Sequence, residues 1–269
     1  MLLLFLTGCS STTFLYNRLD LLIPWYLGDY VDLNRQQKKT LDRLLQPFLA
    51  WHRQDELQLY IELLDRIEAD LEDDISAEQI AAHANGFVAA WQRIEIRALQ
   101  WMLNLGEDLS DEQMTAFIEK LWEKQRGYED EYLPRSLEEY NEETYDNLLD
   151  STQDFMGRLD WGQRAILEKA AADLQRSDGH WLEERELWVS RMEATLQREP
   201  GWQEGMHNML ATREETSTPE YRAIYEHNTA VICDAIARLL NSRMEKQDKR
   251  LRKTIGNFRE DLETLIGQR

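Results

Sequence analysis

The stretch Leu109-Ser110-Asp111-Glu112-Gln113 carries the helix-start chemistry that decides the fold. In such a capping box the Ser hydroxyl accepts the amide of the third helical residue, while the Gln side chain reaches back to the amide of the cap. The apolar residue before the cap packs against the fourth helical residue, here Met114, as a hydrophobic staple. Three other stretches follow the same plan: Leu33–Gln37, Ile75–Gln79 and Leu159–Gln163. Their irregular spacing does not fit a strict solenoid and predicts a loose series of antiparallel helices.

Helical spacing of apolar residues dominates between these starts, as in Leu41, Leu44, Leu45, Phe48 and Leu49. With five prolines and twelve glycines in 269 residues the chain has few helix-breaking residues, and no alternating strand pattern occurs. The sequence therefore predicts an all-α fold, an elongated antiparallel multi-helix bundle or array with a long C-terminal helix. The predicted helices cover 15–27, 34–72 with a bend at Pro47, 76–105, 110–132, 134–157, 160–176, 178–198, 201–214 and 218–266.

Several tryptophans and one cysteine are predicted to lie in the core. Trp91 and Trp101 belong to one helical stripe, and Trp181 and Trp188 lie seven residues apart on another. We expect all four to anchor the core. Cys233 lies in an apolar run and is expected to pack as a small hydrophobic residue.

The charge of the chain excludes some classes of partner. Lys and Arg total 31 against 51 Asp and Glu, a formal net charge of −20. Because nucleic-acid binding needs Lys and Arg to neutralise phosphates, we expect no nucleic-acid partner. Tyr128–Asp154 is strongly acidic and Arg243–Arg259 is locally basic. Either each is a solvated face, or the two dock on each other, or the acidic face receives a cationic partner.

Leu6-Thr7-Gly8-Cys9, after the apolar run Met1–Phe5, has the pattern of a lipobox. In this interpretation Leu6, Thr7 and Gly8 are the signal-peptidase recognition residues and the Cys9 thiol is lipidated. Residues 1–8 are then a signal peptide, and 9–269 form a single all-helical periplasmic domain. The apolar core is short and no Lys or Arg precedes Cys9, so we expect the signal to be truncated at its start. The alternative is an apolar N-terminus with an incidental cysteine.

Catalytic signatures are weak in this sequence. His52, His83, His180, His207 and His227 form no known metal motif, and Glu204-x-x-His207 is a single copy of a spacing that di-iron bundles use twice. His52 and Glu56 are expected to hydrogen-bond to each other. We therefore predict no catalytic residue, no metal site and no cofactor. The alternative is an envelope enzyme that uses converging carboxylates or a metal.

Two resemblances bear on function. Tyr16-Asn17-Arg18-Leu19-Asp20, Ile23-Pro24-Trp25-Tyr26, Tyr30-Val31-Asp32-Leu33 and Gln37, behind the lipobox, resemble the opening of an uncharacterised family of Gram-negative lipoproteins. Arg250-Leu251-Arg252 and Asn257-Phe258-Arg259 resemble its C-terminus. More weakly, the Leu-Ser-Asp-Glu-Gln cap is similar to the LTxxQ signature of the Spy/CpxP periplasmic chaperones, which are shorter and use a basic concave face.

These resemblances imply an address and a general role. Ser10 after the cysteine implies sorting to the outer membrane, with a lipid anchor at Cys9 and the body in the periplasm. We expect a non-enzymatic protein-binding or envelope-maintenance factor, chaperone-like in kind, with protein partners. The helix at 15–27 is expected to pack on the body, or alternatively to lie in the membrane interface.

Overall fold

A computed structural model describes the backbone of residues 9–268 and the side chains of residues 12–268. Regular structure in this part of the chain is helical throughout, so the predicted all-α array is confirmed. The helices are α1 (Cys9–Tyr16), α2 (Leu19–Leu27), α3 (Arg35–Trp51), a π-helical turn (His52–Glu56), α4 (Leu57–Asp70), α5 (Ala77–Glu107), α6 (Asp111–Tyr132), α7 (Leu137–Met156), α8 (Trp161–Asp173), α9 (Asp178–Thr195), α10 (Trp202–Ala211), α11 (Pro219–Asn241) and α12 (Glu245–Gly267).

Three predicted helices are divided. The segment 218–266 forms α11 and α12, each 23 residues long, because the chain leaves helical geometry at 242–244. The segment 34–72 is interrupted by the π-turn, five residues after the predicted bend at Pro47. The segment 15–27 is divided between α1 and α2 at Asn17 and Arg18.

All four predicted capping boxes are confirmed. The caps Asn34, Ser76, Ser110 and Asp160 each accept a backbone amide, and Gln at the third helical position accepts the amide of the cap in every case. A fifth box, at Ser136 with Glu139, was not predicted because its third helical residue is Glu. Each such cap stabilises its helix by about 1 kcal/mol.

Two of the capping glutamines also join helices that are distant in sequence. Gln37 of α3 and Gln113 of α6 face each other, and each side-chain amide donates to the oxygen of the other at 2.7 and 2.9 Å. Gln37 also donates to the carbonyl of Asp108, and Gln113 to that of Asp32. We call these two residues the first glutamine pair.

The second glutamine pair repeats this pattern at the other end of the chain. Gln163 of α8 and Gln247 of α12 exchange amide hydrogen bonds of 2.9 and 2.8 Å. Gln163 donates to the carbonyl of Ser242, and Gln247 to that of Arg158. In both pairs the carbonyl belongs to the residue two before the partner's cap. The array therefore contains two junctions of the same construction, each between two helix N-termini.

The apolar core is divided into clusters along the array. The cluster with the most residues joins α5, α6, α9 and α10 around Leu103, Ile118, Val189 and Met206. A second joins the start of α3 to the end of α5. Two others hold α7, α8 and α11 together and bring α4 against α12.

The tryptophan predictions were partly right. Trp101 and Trp188 pack against core clusters, and Trp181 packs against tyrosines of α6. Trp91 was wrongly assigned to the core, because its side chain is 57% exposed. It neighbours the buried Ala90, and helical periodicity does not tell which of two adjacent stripes faces inward. Cys233 is buried, as predicted, and burial raises the pKa of its thiol.

The basic segment contacts both α4 and the acidic segment. Its ion pairs with other segments are to α4 and the residue Glu72 just after it: Arg259 pairs with Asp65 and Glu68, and Arg252 with Glu72. Arg250 donates to the carbonyl of Asp154 at 3.2 Å, so the two charged segments do meet, although no ion pair between them occurs among the described residues. α7 does touch α12, but most acidic side chains of 128–154 remain exposed.

No helix among residues 9–268 combines the length and the apolar character that crossing a membrane requires.

Candidate functional site: the N-terminal helices and the π-turn

The predicted lipidation site stands at the edge of the described chain. Cys9 is the first residue of α1, and Leu6, Thr7 and Gly8 lie outside the described residues. The lipobox therefore stays a prediction. What the structure does describe is how the helix that begins at Cys9 is held.

Side chains of α1 and the following turn are fixed to α12 and the π-turn. The Thr13 hydroxyl donates to Asp261 Oδ1 at 3.2 Å. The amide of Asn17 donates to Gln268 Oε1 at 2.8 Å, and Arg53 Nη2 donates to Asn17 Oδ1 at 2.8 Å. Helix α1 is thus fixed to the body within four residues of Cys9. We call this set of contacts the α1 seat.

Asp261 is the buried carboxylate of the α1 seat. Burial raises its pKa, and hydrogen bonds from Thr13 and Thr12 partly oppose that effect. Since desolvation disfavours the charged form, the seat is most favourable when this group is protonated.

The aromatic end of α1 contacts the π-turn. Tyr16 Oη lies 2.8 Å from His52 Nδ1, and Tyr60 Oη lies 3.3 Å from His52 Nε2. Burial lowers the pKa of His52 despite the nearby carboxylate of Glu56. Burial also raises the pKa of Tyr16 to about 12 against the field of Arg53. A neutral imidazole therefore joins two neutral phenols.

Glu56, at the end of the π-turn, is the most deeply buried carboxylate among the described ion pairs. Its side chain is 1% exposed, and Arg93 of α5 donates to both carboxylate oxygens at 2.5–3.0 Å. Burial, and secondarily Glu56, raise the pKa of Tyr60. The predicted hydrogen bond between His52 and Glu56 was wrong, because each has a different partner. The prediction assumed the four-residue hydrogen-bond spacing of an α-helix, whereas a π-turn has a five-residue spacing.

This arrangement has a clear chemical character. Both imidazole nitrogens of His52 and both oxygens of Glu56 are hydrogen-bonded. The residues join α1, the π-turn, α4 and α5, so they position the N-terminal helix on the body.

The other histidines lie apart from this cluster. His83 pairs with Asp70 at 2.8 Å, and His227 contacts the carbonyl of Asp173. Glu204 and His207 are both exposed on α10. Among the side chains of residues 12–268, no three His, Cys, Asp or Glu groups converge as a metal site would require.

An apolar surface lies on α5, away from the α1 seat. Phe87, Val88 and Trp91 are exposed and fall on one face of the helix. Next to them the loop after α10 is fixed to α5, where Arg213 donates to Glu95 at 2.8 and 3.0 Å. We call these three residues the α5 face.

Sequence reasoning missed some of the residues that organise this region. Tyr16, Tyr60 and Arg93 become partners of the π-turn through the tertiary fold, and no local pattern marks them. Gln247 was missed because its cap position holds Met244, which is not a capping residue type. The available signal was its position: Gln247 stands three residues after Met244, just as each of the four recognised glutamines stands three residues after its cap.

Comparison with known proteins gives a family without an activity. The sequence model of a family of unknown function, DUF6279, matches residues 29–222. The match covers α3 to α10 and most of the chain, and it includes neither Cys9 nor α12. No curated protein and no solved structure matches.

Proposed function

The chain belongs to DUF6279, a family of unknown function, and we propose that it is a lipoprotein anchored through Cys9 to the outer membrane, with its helical body in the periplasm. The observation that carries this proposal is the Leu6-Thr7-Gly8-Cys9 motif directly before a helix that is seated on the body. The α1 seat fixes α1 to the body, so a lipid on Cys9, the first residue of that helix, would hold the body close to the bilayer.

Metabolic labelling with an alkyne fatty acid tests the anchor. Cells producing the wild-type chain should yield a labelled protein, and the Cys9→Ala variant should yield none. Cys233→Ala is the matched control, because it removes the other cysteine and should leave the label unchanged. Equal label on the wild type and Cys9→Ala contradicts the proposal.

We further propose that the body binds protein partners in an envelope-maintenance role of a chaperone-like kind. The α5 face supports this, since exposed aromatic and aliphatic side chains grouped on one helix are typical of protein-binding surfaces. The exposed carboxylates of α7 would favour cationic partners. The likeness to the Spy/CpxP signature adds support at the level of the capping motif.

A photo-crosslinking amino acid tests partner binding in intact envelopes. Placed at Phe87, it should give discrete protein adducts, whereas at Lys169, an exposed position on α8, it should give none. Purified protein should also slow the aggregation of an unfolded client, less effectively after Trp91→Ser. Absence of adducts at Phe87, with the fatty-acid label intact, contradicts protein binding and leaves the anchor standing.

The alternative of an envelope enzyme would centre on His52, Glu56 and Tyr60, a cluster at the π-turn in which Glu56 is buried and the other two are half-buried. We rank it second because their hydrogen-bonding atoms are engaged within the protein. Loss of an envelope activity on His52→Gln, with unchanged thermal stability, would reverse this ranking.

A further inference from the structure

The first two helices present a second apolar surface, distinct from the α5 face. Five large side chains within 13 residues are exposed: Phe14, Leu21, Leu22, Trp25 and Tyr26. Trp25 is 70% exposed, and α2 contains no buried residue. We call this set the α2 face.

The α2 face has a common direction along the helix. Leu21, Leu22, Trp25 and Tyr26 occupy positions i, i+1, i+4 and i+5, which lie on one side of an α-helix. Phe14 of α1 is exposed as well, and the Arg18 guanidinium, just before α2, lies 4.7 Å from the centre of the Phe14 ring. The four apolar side chains of α2 therefore form one strip, with Arg18 just before its first turn.

The strip is held in place by contacts on its other side. α2 packs on α3, and Leu27 joins the cluster of Val31, Leu33, Leu41 and Leu105. The α1 seat fixes the helix before it. Packing on the body is therefore confirmed for the segment 15–27, and its exposed side is available for a partner.

The sequence places this strip close to Cys9. At about 1.5 Å of rise per helical residue, and with two residues in the turn, the Cα of Trp25 lies within about 30 Å of the Cα of Cys9. If Cys9 carries lipid, the whole strip lies within reach of one bilayer interface.

Composition and charge identify the occupant. Trp and Tyr are the residues enriched at membrane interfaces, where one end of the ring system is apolar and the other hydrated. Residues 14–43 carry five basic and four acidic side chains, whereas the chain as a whole has a charge of −20. Three of these cations, Arg35, Lys38 and Lys39, lie together with Asp42 in the first turns of α3, the helix on which α2 packs.

We propose that the α2 face is a membrane-docking surface that lies in the headgroup region of the bilayer and fixes the orientation of the body. This inference rests on the proposed lipid anchor for its location. It predicts that the protein lies against the membrane through α1 and α2 and does not extend from it on a loose tether.

Fluorescence quenching by brominated lipids measures this docking. The full chain, purified with its anchor, is reconstituted in vesicles of phosphatidylethanolamine and phosphatidylglycerol with bromine on the acyl chains. Trp25→Phe should reduce the quenched emission at least about twofold, because Trp25 would be the tryptophan nearest the lipid. Trp161→Phe is the matched control: Trp161 is 87% exposed on α8, and its loss should leave the quenched emission unchanged.

The overturning result is equally specific. If Trp25→Phe leaves lipid quenching unchanged, and iodide in the water quenches Trp25 in vesicles as fully as in solution, the face does not touch lipid. A second variant, Leu21→Ser with Leu22→Ser, should also lower the quenching of Trp25. It keeps the tryptophan, so an unchanged signal counts against the proposal.

The two proposals fail separately. Fatty-acid label on Cys9 without lipid quenching of Trp25 refutes the docking surface and leaves the anchor standing. Lipid quenching of Trp25 in the Cys9→Ala chain, together with no label on the wild type, refutes the anchor and leaves the docking surface standing.

Discussion

Replacing Gln163 by Leu removes one half of the second glutamine pair, and we expect the free energy of unfolding to fall by about 4 kcal/mol. Gln163 is almost completely buried, and its side chain takes part in four hydrogen bonds, one of them bifurcated: it accepts from the Asp160 amide, donates to Ser242 in a bond shared between the carbonyl and Oγ, and exchanges two bonds with Gln247. At about 1 kcal/mol net for each bond, their loss gives this figure. The cost of the unpaired Gln247 amide, about 1–3 kcal/mol, is offset in part by burial of the leucine.

Urea denaturation followed by circular dichroism measures this change, and a thermal scan should show a fall of roughly 8 °C or more. Gln79→Leu is the matched control. Gln79 occupies the same third helical position, and its carbonyl accepts only the Ser76 amide among the described contacts, so we expect a loss of about 1 kcal/mol.

The double variant separates pairing from burial. When Gln247 is also changed to Leu, neither side-chain amide of the pair remains to be left without its partner. The double variant should therefore lose less than the sum of the single variants, by about 1–3 kcal/mol. Strict additivity, or a loss for Gln163→Leu no larger than that for Gln79→Leu, refutes the idea that the pair joins α8 and α12.

The buried titratable groups give three more predictions. Arg93→Met leaves Glu56 as a buried unpaired charge and should cost about 3 kcal/mol in urea denaturation, at the low end for such pairs because Arg93 is partly exposed. Adding Glu56→Gln should recover most of that loss, and no recovery would contradict it. The lowered pKa of His52 gives stability that is present above its ordinary pKa of 6.5 and is lost as the pH falls below that value. Denaturation at pH 7.5 and 5 should show this loss in the wild type and a smaller one in His52→Gln; equal losses would contradict it. The raised pKa of Asp261 means that its ionised form costs stability as the pH rises above the ordinary value of 3.8. Asp261→Asn should be more stable than the wild type at pH 7 and lose that advantage towards pH 3, and a less stable variant would count against this account of the α1 seat.

The helix starts could be predicted because their chemistry is local. Asn34, Ser76, Ser110 and Asp160 each bond to an amide within three residues, so the pattern of cap and Gln is complete in the sequence. The local cap pattern does not reveal which distant residue each Gln side chain contacts. That Gln37 meets Gln113, and Gln163 meets the unpredicted Gln247, follows from packing between helices more than 70 residues apart.

The site was harder to predict for the same reason. Cys9 could be proposed from the sequence because the lipobox pattern is a continuous stretch of residues. Tyr16 meets His52, and Arg93 meets Glu56, only after α1, the π-turn and α5 have packed. The exposure of Trp91 and Trp25 could not be predicted from helical periodicity either. Periodicity identifies an apolar stripe but does not tell whether protein, lipid or water covers it.

The most direct test of the central claim is mass spectrometry of the native protein extracted from cell envelopes. We predict a mature chain whose first residue is Cys9, carrying a diacylglyceryl group on its thiol and a further acyl group on its amine. Recovery of an unmodified Cys9 still preceded by Leu6, Thr7 and Gly8, in protein released without detergent, would contradict the account.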